Sequence, residues 1–339
     1  MRVEENRCGA LTIGSVTLPN TVLLAPMSGV TDLPFRRIAH RFGAGLVISE
    51  MVASDALAGG HRDTCLRAQS GDLSPHVVQL AGREAHWMAE GARIAAAAGA
   101  DIIDINMGCP SKRVTTGYSG SALMRDLDHA LTLIDATVAA VDLPVTVKMR
   151  LGWDESSVNA PDLAKRAETS GVQMITVHGR TRCQFYKGKA NWSAIRAVSE
   201  AVDIPVIANG DCMNAADADA LLEKSGAQGV MVGRASYGRP WLAGNIARSL
   251  AGKSTAAPLE GSALSDLIIE HYEGMLAHYG SKIGIRAARK HLSWYMETTS
   301  SGQTVPADVR QTMLTGDNPE QIIQLAKSWF GDAQVRSAA

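Results

Sequence analysis

The sequence lacks most of what would mark a secreted, membrane-bound or polyelectrolyte protein. Its 339 residues include five cysteines, at positions 8, 65, 109, 183 and 212. None form a Cys-x-x-Cys pair, so no disulfide framework or metal-ligand signature stands out and no metal is expected. A reducing, cytoplasmic setting fits that usage. No run of about 18 apolar residues occurs, so no membrane-spanning helix and no membrane partner are expected. The first residues, MRVEENRCGALTIG, carry acids and no apolar stretch, unlike a secretory signal. The net charge of −1 provides no global basic field, so a nucleic-acid surface has to be local. No G-x-G-x-x-G turn follows the first apolar strand, which argues against an open dinucleotide-binding sheet.

What is present is an ordinary globular composition, 46% hydrophobic and 20% charged. Apolar strands alternate with helical patterns. Strands are expected at Thr21–Pro26, Leu46–Ser49, His76–Leu80, Ile102–Asn106, Val145–Arg150, Gln173–His178, Ile204–Asn209 and Gln228–Gly233. Helices follow them, the first over Asp32–Phe42 with Thr31 as its N-cap. Each unit runs about 25–35 residues, the length of a strand–helix pair in a parallel sheet. Eight such units predict an α/β fold, a (β/α)8 TIM barrel over residues 1–250. Beyond a linker, GKSTAAPLEGSA, helices near Leu264–Tyr279, Lys282–Glu297, Pro306–Leu314 and Pro319–Phe330 predict a small all-α domain over 251–339.

A barrel of this kind places its active site at the C-terminal ends of its strands. Polar residues gather at those positions: Gln79, Asn106, Lys148, His178, Asn209-Gly210-Asp211 and Gly233-Arg234. The stretch IIDINMGCP, Ile102–Pro110, begins as a buried strand and ends in a turn. Gly108 and Pro110 stop the ladder and hold Cys109 just past the strand end. Gly210, Gly233 and Arg234 suit an anion such as a phosphate at the ends of strands seven and eight. Lys148 could form a Schiff base or pair with an anionic ring. The loop GRTRCQFYKGKA carries Arg180, Arg182, Lys187 and Lys189 beside two aromatics, which suits either nucleic acid or plain solvation. In the tail, Lys282, Arg286 and Arg289 share one helical face. That face could meet phosphates, or pair with Asp266, Glu270 and Glu273 of the preceding helix. Ile283, Ile285, Ala287, Leu292 and Trp294 are expected to pack.

Several of these blocks resemble the motifs of tRNA-dihydrouridine synthases, most closely the bacterial B-type subgroup. They are APMSGVTDLPFR (25–36), DINMGCPSKRV (104–114), GSALM (120–124), VKMRLGW (147–153), VHGRTR (177–182), IANGD (207–211) and VGRASYGRPW (232–241). RKHLSWY (289–295) resembles that subgroup's C-terminal domain. Ser28 replaces the usual alanine, and Thr116 stands where glycine is common. The resemblance implies an FMN enzyme that takes electrons from NADPH and reduces uridines of tRNA to 5,6-dihydrouridine, expected to act as a monomer. It implies that Pro26, Met27 and Ser28 line the flavin, with His178 as a neighbour. Gln79 and Lys148 would bond the ring, and Asn209, Gly210, Asp211, Gly233 and Arg234 would hold the phosphate. Asn106 would meet the base, with Arg180, Arg182, Arg286 and Arg289 on the tRNA. Hydride would pass from flavin N5 to uracil C6, and Cys109 would give the proton to C5.

Overall fold

Each apolar run is short and nearly continuous, so it needs cover on both faces, and the amphipathic helix that follows supplies one of them. The computed structural model describes residues 9–255, 259–299 and 305–331; Cys8 lies outside them. A hairpin comes first, β1 Leu11–Ile13 and β2 Val16–Leu18. Then follow β3 Val22–Leu24, α1 Leu33–Arg41, β4 Leu46–Val47, β5 Val52–Ala53, α2 Ser54–Ala58, α3 Arg62–Arg67 and β6 Val77–Ala81. The alternation continues with α4 Ala85–Ala97, β7 Ile102–Met107, α5 Lys112–Thr115, α6 Leu127–Val138, β8 Val145–Arg150, α7 Ala160–Thr169 and β9 Met174–His178. It closes with α8 Trp192–Ser199, β10 Val206–Asn209, α9 Ala215–Ser225, β11 Gly229–Val232 and α10 Leu242–Leu250. The C-terminal helices are α11 Gly261–Tyr279, α12 Ser281–Thr299, α13 Ala307–Thr315 and α14 Pro319–Ala326.

Strands β3 to β11 form one sheet in the order β4-β3-β11-β10-β9-β8-β7-β6-β5, parallel throughout. Its two end strands are consecutive in sequence. A parallel bridge between Ile48, just past β4, and Val77 of β6, with the Ser49 N–H on the Val77 carbonyl at 3.1 Å, closes the ring. β4 and β5 thus act as one interrupted strand, and the predicted eightfold barrel is present. The ladder sets inward-facing residues opposite one another: Gln79 with Asp104, Asp104 with Thr146, Asn106 with Lys148, Arg150 with His178, His178 with Asn209. On β8 the period of two is plain. Val145, Val147 and Met149 join the apolar layer under the helices, while Thr146, Lys148 and Arg150 face the axis.

The lower barrel is apolar. Leu23, Leu46, Ile48, Val77, Ile102, Met174, Ile207 and Met231 cluster there with Leu11, Ile13 and Leu18 of the hairpin, which plugs that end. The hairpin precedes the first strand expected from sequence; LTIGSVTL carries its signal in Gly14, which turns with φ +56°. The first helix is capped by Asp32, whose carboxylate accepts the Phe35 N–H at 3.1 Å. Thr31, the predicted cap, instead has its hydroxyl on the Met27 N–H. α10 crosses close to the end of α1. A Cβ on Gly244 would lie 1.8 Å from the Phe42 carbonyl oxygen. Gly244→Ala is therefore expected to destabilise by about 1–3 kcal/mol, outweighing its gain in helix propensity. A urea midpoint at or above wild type would contradict this close approach.

The chain divides into two compact units, Met1–Ala235 with Leu242–Ser254, and Ser236–Trp241 with Thr255–Ala339. The six residues Ser236–Trp241 thus belong with the helices, a return that a simple boundary at 250 does not contain. Tyr237 stacks on Trp294 at 4.0 Å, and the Thr298 hydroxyl donates to the Gly238 carbonyl at 3.1 Å. Within that unit α11 and α12 bury Leu267, Ile268, Tyr272 and Met275 together with Ile285, Ala288, Leu292 and Tyr295. Ile283, expected to pack, is 58% exposed. It precedes the first buried turn of α12 on the helix's outer face.

Candidate active site

The turn after β7 is pinned from both sides. The Asn106 side-chain oxygen accepts the N–H groups of Gly108 (3.2 Å) and Cys109 (2.9 Å). The Cys109 carbonyl accepts the Ser121 N–H (3.1 Å) and hydroxyl (2.8 Å). Gly120 makes that approach possible, since at its φ of +60° a Cβ would sit 2.9 Å from the Cys109 carbonyl oxygen. Thr116 does not disturb the turn; its hydroxyl donates to the Lys112 carbonyl one turn earlier in α5. Cys109 is half-buried. Burial pushes its thiol pKa up, against a backbone hydrogen bond at Ser111 and the charges of Arg150 and Lys148. It is therefore a protonated thiol at neutral pH.

Below the turn lies a polar layer. The Asn106 amide nitrogen donates to Gln79 Oε1 at 2.7 Å. Gln79 Nε2 and the Thr146 hydroxyl each donate to the Asp104 carboxylate at 2.6 Å. Burial raises the Asp104 pKa to about 6, although these two hydrogen bonds and Lys148 pull it down. Lys148 points into the same space, with Nζ 3.3 Å from Asn209 Oδ1. Burial, then Arg150, lowers its pKa to about 8. His178 is buried and neutral. Desolvation, then the charges of Arg150, Lys148, Arg180 and Arg234, holds its pKa well below the ordinary histidine range.

Three arginines organise the loops. Arg150 donates to the carbonyls of Gly108 (2.8 Å), Thr181 (2.9 Å) and Phe185 (2.8 Å), and lies 5.4 Å from the Tyr186 ring. It ties the cysteine turn to the loop after β9. Arg182 packs on Trp153 (4.5 Å) and Phe185 (4.9 Å) and reaches the Thr115 hydroxyl at 3.3 Å. Arg180 was expected to meet substrate, but its guanidinium is engaged elsewhere. The residue is 1% exposed. It forks onto both oxygens of Asp211 (2.9 and 2.6 Å) and bonds the Lys187 and Gly188 carbonyls.

The ends of β10 and β11 face the loop after β3. Gly210 has φ +126°, and a Cβ there would meet Ala190 at 2.7 Å and the His178 ring at 3.0 Å. Asp211 also has positive φ, +54°. Burial opposes its charge, yet the bonds from Arg180 and the Ala190 N–H (2.8 Å) hold its pKa below the usual carboxylate range. Its side chain therefore serves Arg180 and the 187–190 loop, which leaves its backbone for any anion. Arg234 is exposed, 3.4 Å from Asp211 and 4.7 Å from the Tyr186 ring. Ala25 and Met27 lie near Gly233, where a Cβ would be 3.8 Å from both side chains. The Gly29 N–H donates to the buried Glu50 carboxylate, which fixes the 25–29 loop to the break between β4 and β5.

Gln79, Asn106, Cys109, Lys148, His178 and Asn209 thus converge on one barrel mouth. Arg150 and Asp104 belong with them, two strand residues that carry no motif of their own in the sequence. Their signal was periodicity alone: Arg150 shares a strand face with Lys148, and Asp104 with Asn106. Arg286 and Arg289 lie in the other unit. Arg286 is exposed. Arg289 donates to the Thr315 carbonyl (3.0 Å) and Asp317 (2.9 Å). Cys183 is exposed, and Cys212 is buried, with its pKa pushed up to about 12 by desolvation and then Asp217. Among the described residues no group of three or more His, Cys, Asp or Glu could hold a metal.

The family model for dihydrouridine synthases (Dus) matches residues 23–330. A probable tRNA-dihydrouridine synthase of Rhodobacter capsulatus is 53% identical over 328 residues, 96% of this chain and 99% of its own. One of Rhizobium leguminosarum bv. phaseoli is 61% identical over 282 residues, 83% and 87% of the two chains. The tRNA-dihydrouridine synthase B of Pseudomonas putida is 45% identical over 296 residues, 87% and 88%. Among solved structures, morphinone reductase superposes with TM-score 0.50 at 16% identity, over 77% of this chain and 94% of its own. A 2-naphthoyl-CoA reductase gives 0.57 at 12% identity, over 74% and 52%. At those identities the likeness is one of fold.

Proposed function

Since this chain belongs to the dihydrouridine synthase family, we propose that it reduces specific uridines of tRNA to 5,6-dihydrouridine, acting as a monomer with bound FMN and NADPH as electron donor. The observation that carries this reading is Cys109, a protonated thiol on a doubly pinned turn above a polar barrel mouth. The mouth fits a flavin. Lys148 has three N–H donors and one hydrogen-bond partner among the described residues, at 3.3 Å, so it can take an anionic ring edge. Gln79 would bond the same edge, with His178 beside it. Pro26, Met27 and Ser28 would line one side of the ring, and Asn209, Gly210, the Asp211 backbone, Gly233 and Arg234 would hold the phosphate.

When bound, FMN supplies from N5 the hydride that reaches uracil C6, having received it from NADPH. The residues of the chain do the rest. Asn106 and Arg182 would receive the uridine, which has to leave its stack to enter the mouth. Cys109 Sγ would give its proton to C5, and the thiol would be restored from solvent. Arg180 supports the Asp211 loop in this reading rather than touching tRNA. The direct test is reconstitution. Purified yellow protein, NADPH and unmodified tRNA should yield dihydrouridine by mass spectrometry. A colourless protein that forms no dihydrouridine would instead favour a lyase with Schiff-base chemistry on Lys148.

Of Lys148 and Cys109, both protonated at neutral pH, Lys148 has the lower pKa, at about 8, whereas Cys109 is raised from an ordinary value of 9.0. A depressed lysine is charged below its folded pKa and loses that charge above it. Product formation is therefore expected to fall on the alkaline side near pH 8, with Lys148 losing its proton before Cys109. A rate that holds until well above pH 9 would make the Lys148 charge irrelevant.

In the helical unit Arg286 is the better phosphate contact, because Arg289 is already occupied by Thr315 and Asp317. Arg286→Ala should weaken tRNA binding and flatten the slope of log K against log salt by about one contact. NADPH oxidation should be untouched. An unchanged salt slope would remove Arg286 from the interface.

A further inference from the structure

Beneath the Cys109 turn runs a hydrogen-bond chain whose two ends are chemically fixed at neutral and alkaline pH, where the Asp104 carboxyl is ionised. At one end the Asp104 carboxylate, fully buried, accepts from Thr146 and from Gln79 Nε2. At the other end the N–H groups of Gly108 and Cys109 can only donate, and both meet Asn106 Oδ1. Between them stand two amides, Gln79 and Asn106, whose oxygen and nitrogen ends are nearly the same shape. An acceptor at one end and donors at the other leave one self-consistent arrangement. Gln79 turns its nitrogen to Asp104 and its oxygen to Asn106. Asn106 then turns its nitrogen to Gln79 and its oxygen to the turn.

We propose that Asp104 is a positioning residue whose carboxylate sets the polarity of the Gln79–Asn106 relay and thereby holds the turn that presents the Cys109 thiol. The proposal rests on the role given above to Cys109 and deepens it. It explains why a carboxylate sits in the barrel where a neutral residue would cost less to bury. A neutral amide at position 104 could face Gln79 with either end, and the relay would lose its direction. Reversed, Asn106 would turn its nitrogen toward two N–H groups, and the turn would lose both bonds that pin it from below. Packing does not distinguish the two states; hydrogen-bond polarity does.

The test exchanges the two partners. Gln79→Glu sets a second carboxylate against Asp104, and the pair can keep its contact only by sharing a proton. That proton is lost as pH rises, so the variant's defect should grow with pH. Lys148, the charged group facing Asp104, acts on both carboxylates and is retained. Adding Asp104→Asn to Gln79→Glu restores a donor–acceptor pair of the opposite sense, with Thr146 still donating, and Asn106 keeps its orientation. Two readouts are taken on each protein as purified, with flavin content measured alongside. One is the Cys109 alkylation rate by iodoacetamide, followed by peptide mass spectrometry. The other is single-turnover dihydrouridine formation.

Gln79→Glu is expected to speed alkylation at alkaline pH and to slow product formation by about 10²-fold, the loss typical of a group displaced by about 1 Å. Asp104→Asn alone should show a smaller loss, and the double variant should recover most of it with no added pH dependence. Thr146→Val removes a donor to Asp104 but none of the bonds of the relay itself; read at alkaline pH, where Asp104 is ionised, it should lower the melting temperature and leave alkylation unchanged. A double variant no better than Gln79→Glu, or a Thr146→Val protein as perturbed at Cys109 as Gln79→Glu, overturns the proposal. Alkylation that follows the relay while product formation does not would leave the relay standing and sink the acid role of Cys109.

Discussion

Cys109→Ala should purify yellow, accept electrons from NADPH at the normal rate, and form dihydrouridine about 10²–10⁴-fold more slowly, the loss typical of a missing general acid. The expectation rests on how little else the thiol does. Its sulfur takes part in one backbone hydrogen bond, at Ser111; the rest of the turn is held by the Cys109 N–H on Asn106 and the Cys109 carbonyl on Ser121. Alanine preserves the bonds of that N–H and carbonyl. Loss of the sulfur therefore removes a proton donor and leaves the architecture. The half-reactions separate the possibilities. Stopped-flow reduction of the flavin by NADPH should match wild type, while reoxidation by tRNA should slow. If reoxidation by tRNA proceeds at the wild-type rate, the proton comes from another group or from water. If flavin reduction is also lost, Cys109 has a structural role that its contacts do not suggest.

Arg180→Ala should damage the fold of the barrel mouth before it affects recognition of any substrate. The guanidinium is buried and satisfied by two Asp211 oxygens and two carbonyls. Removing it strands a partly buried carboxylate, and breaking such a pair from one side costs about 3 kcal/mol or more. Asp211 keeps some exposure, 28% of its side chain, so the lower end of that range is expected. In a domain of this size the melting temperature should fall by roughly 6–12 °C. Flavin retention should fall with it, because Gly210 and Asp211 sit in left-handed backbone that this pair holds in place. Adding Asp211→Ala should recover part of the lost stability, since the uncompensated charge is then gone. A protein of normal melting temperature and flavin content with weakened tRNA binding would instead return Arg180 to the substrate-contact role expected from sequence.

Read as a line of residues, the chain disclosed its barrel through repetition. Eight apolar runs, each followed by a helical pattern, cannot bury themselves except in a parallel sheet covered by helices, and the polar residues at the run ends had to lie at one mouth. The cysteine turn was equally legible, because Asn106, Gly108 and Pro110 are local signals acting over a few residues. The hairpin plug, the split second strand and the return of Ser236–Trp241 to the helices were not. Each depends on what a segment meets across the fold.

The same division runs through the site. Sequence grouped Arg180 with Arg182 as neighbours in a basic loop. The closed ring sent Arg180 inward to Asp211, 31 residues away, and laid Arg182 against Trp153. Asp104 and Arg150 passed as strand residues until their partners arrived from β6, from Thr146 and from the 181–185 loop. Local alternation determines which residues of one strand share a face. Which residues of different strands then stand at one height depends on the stagger with which the ring closes, and that is decided by packing between segments distant in sequence.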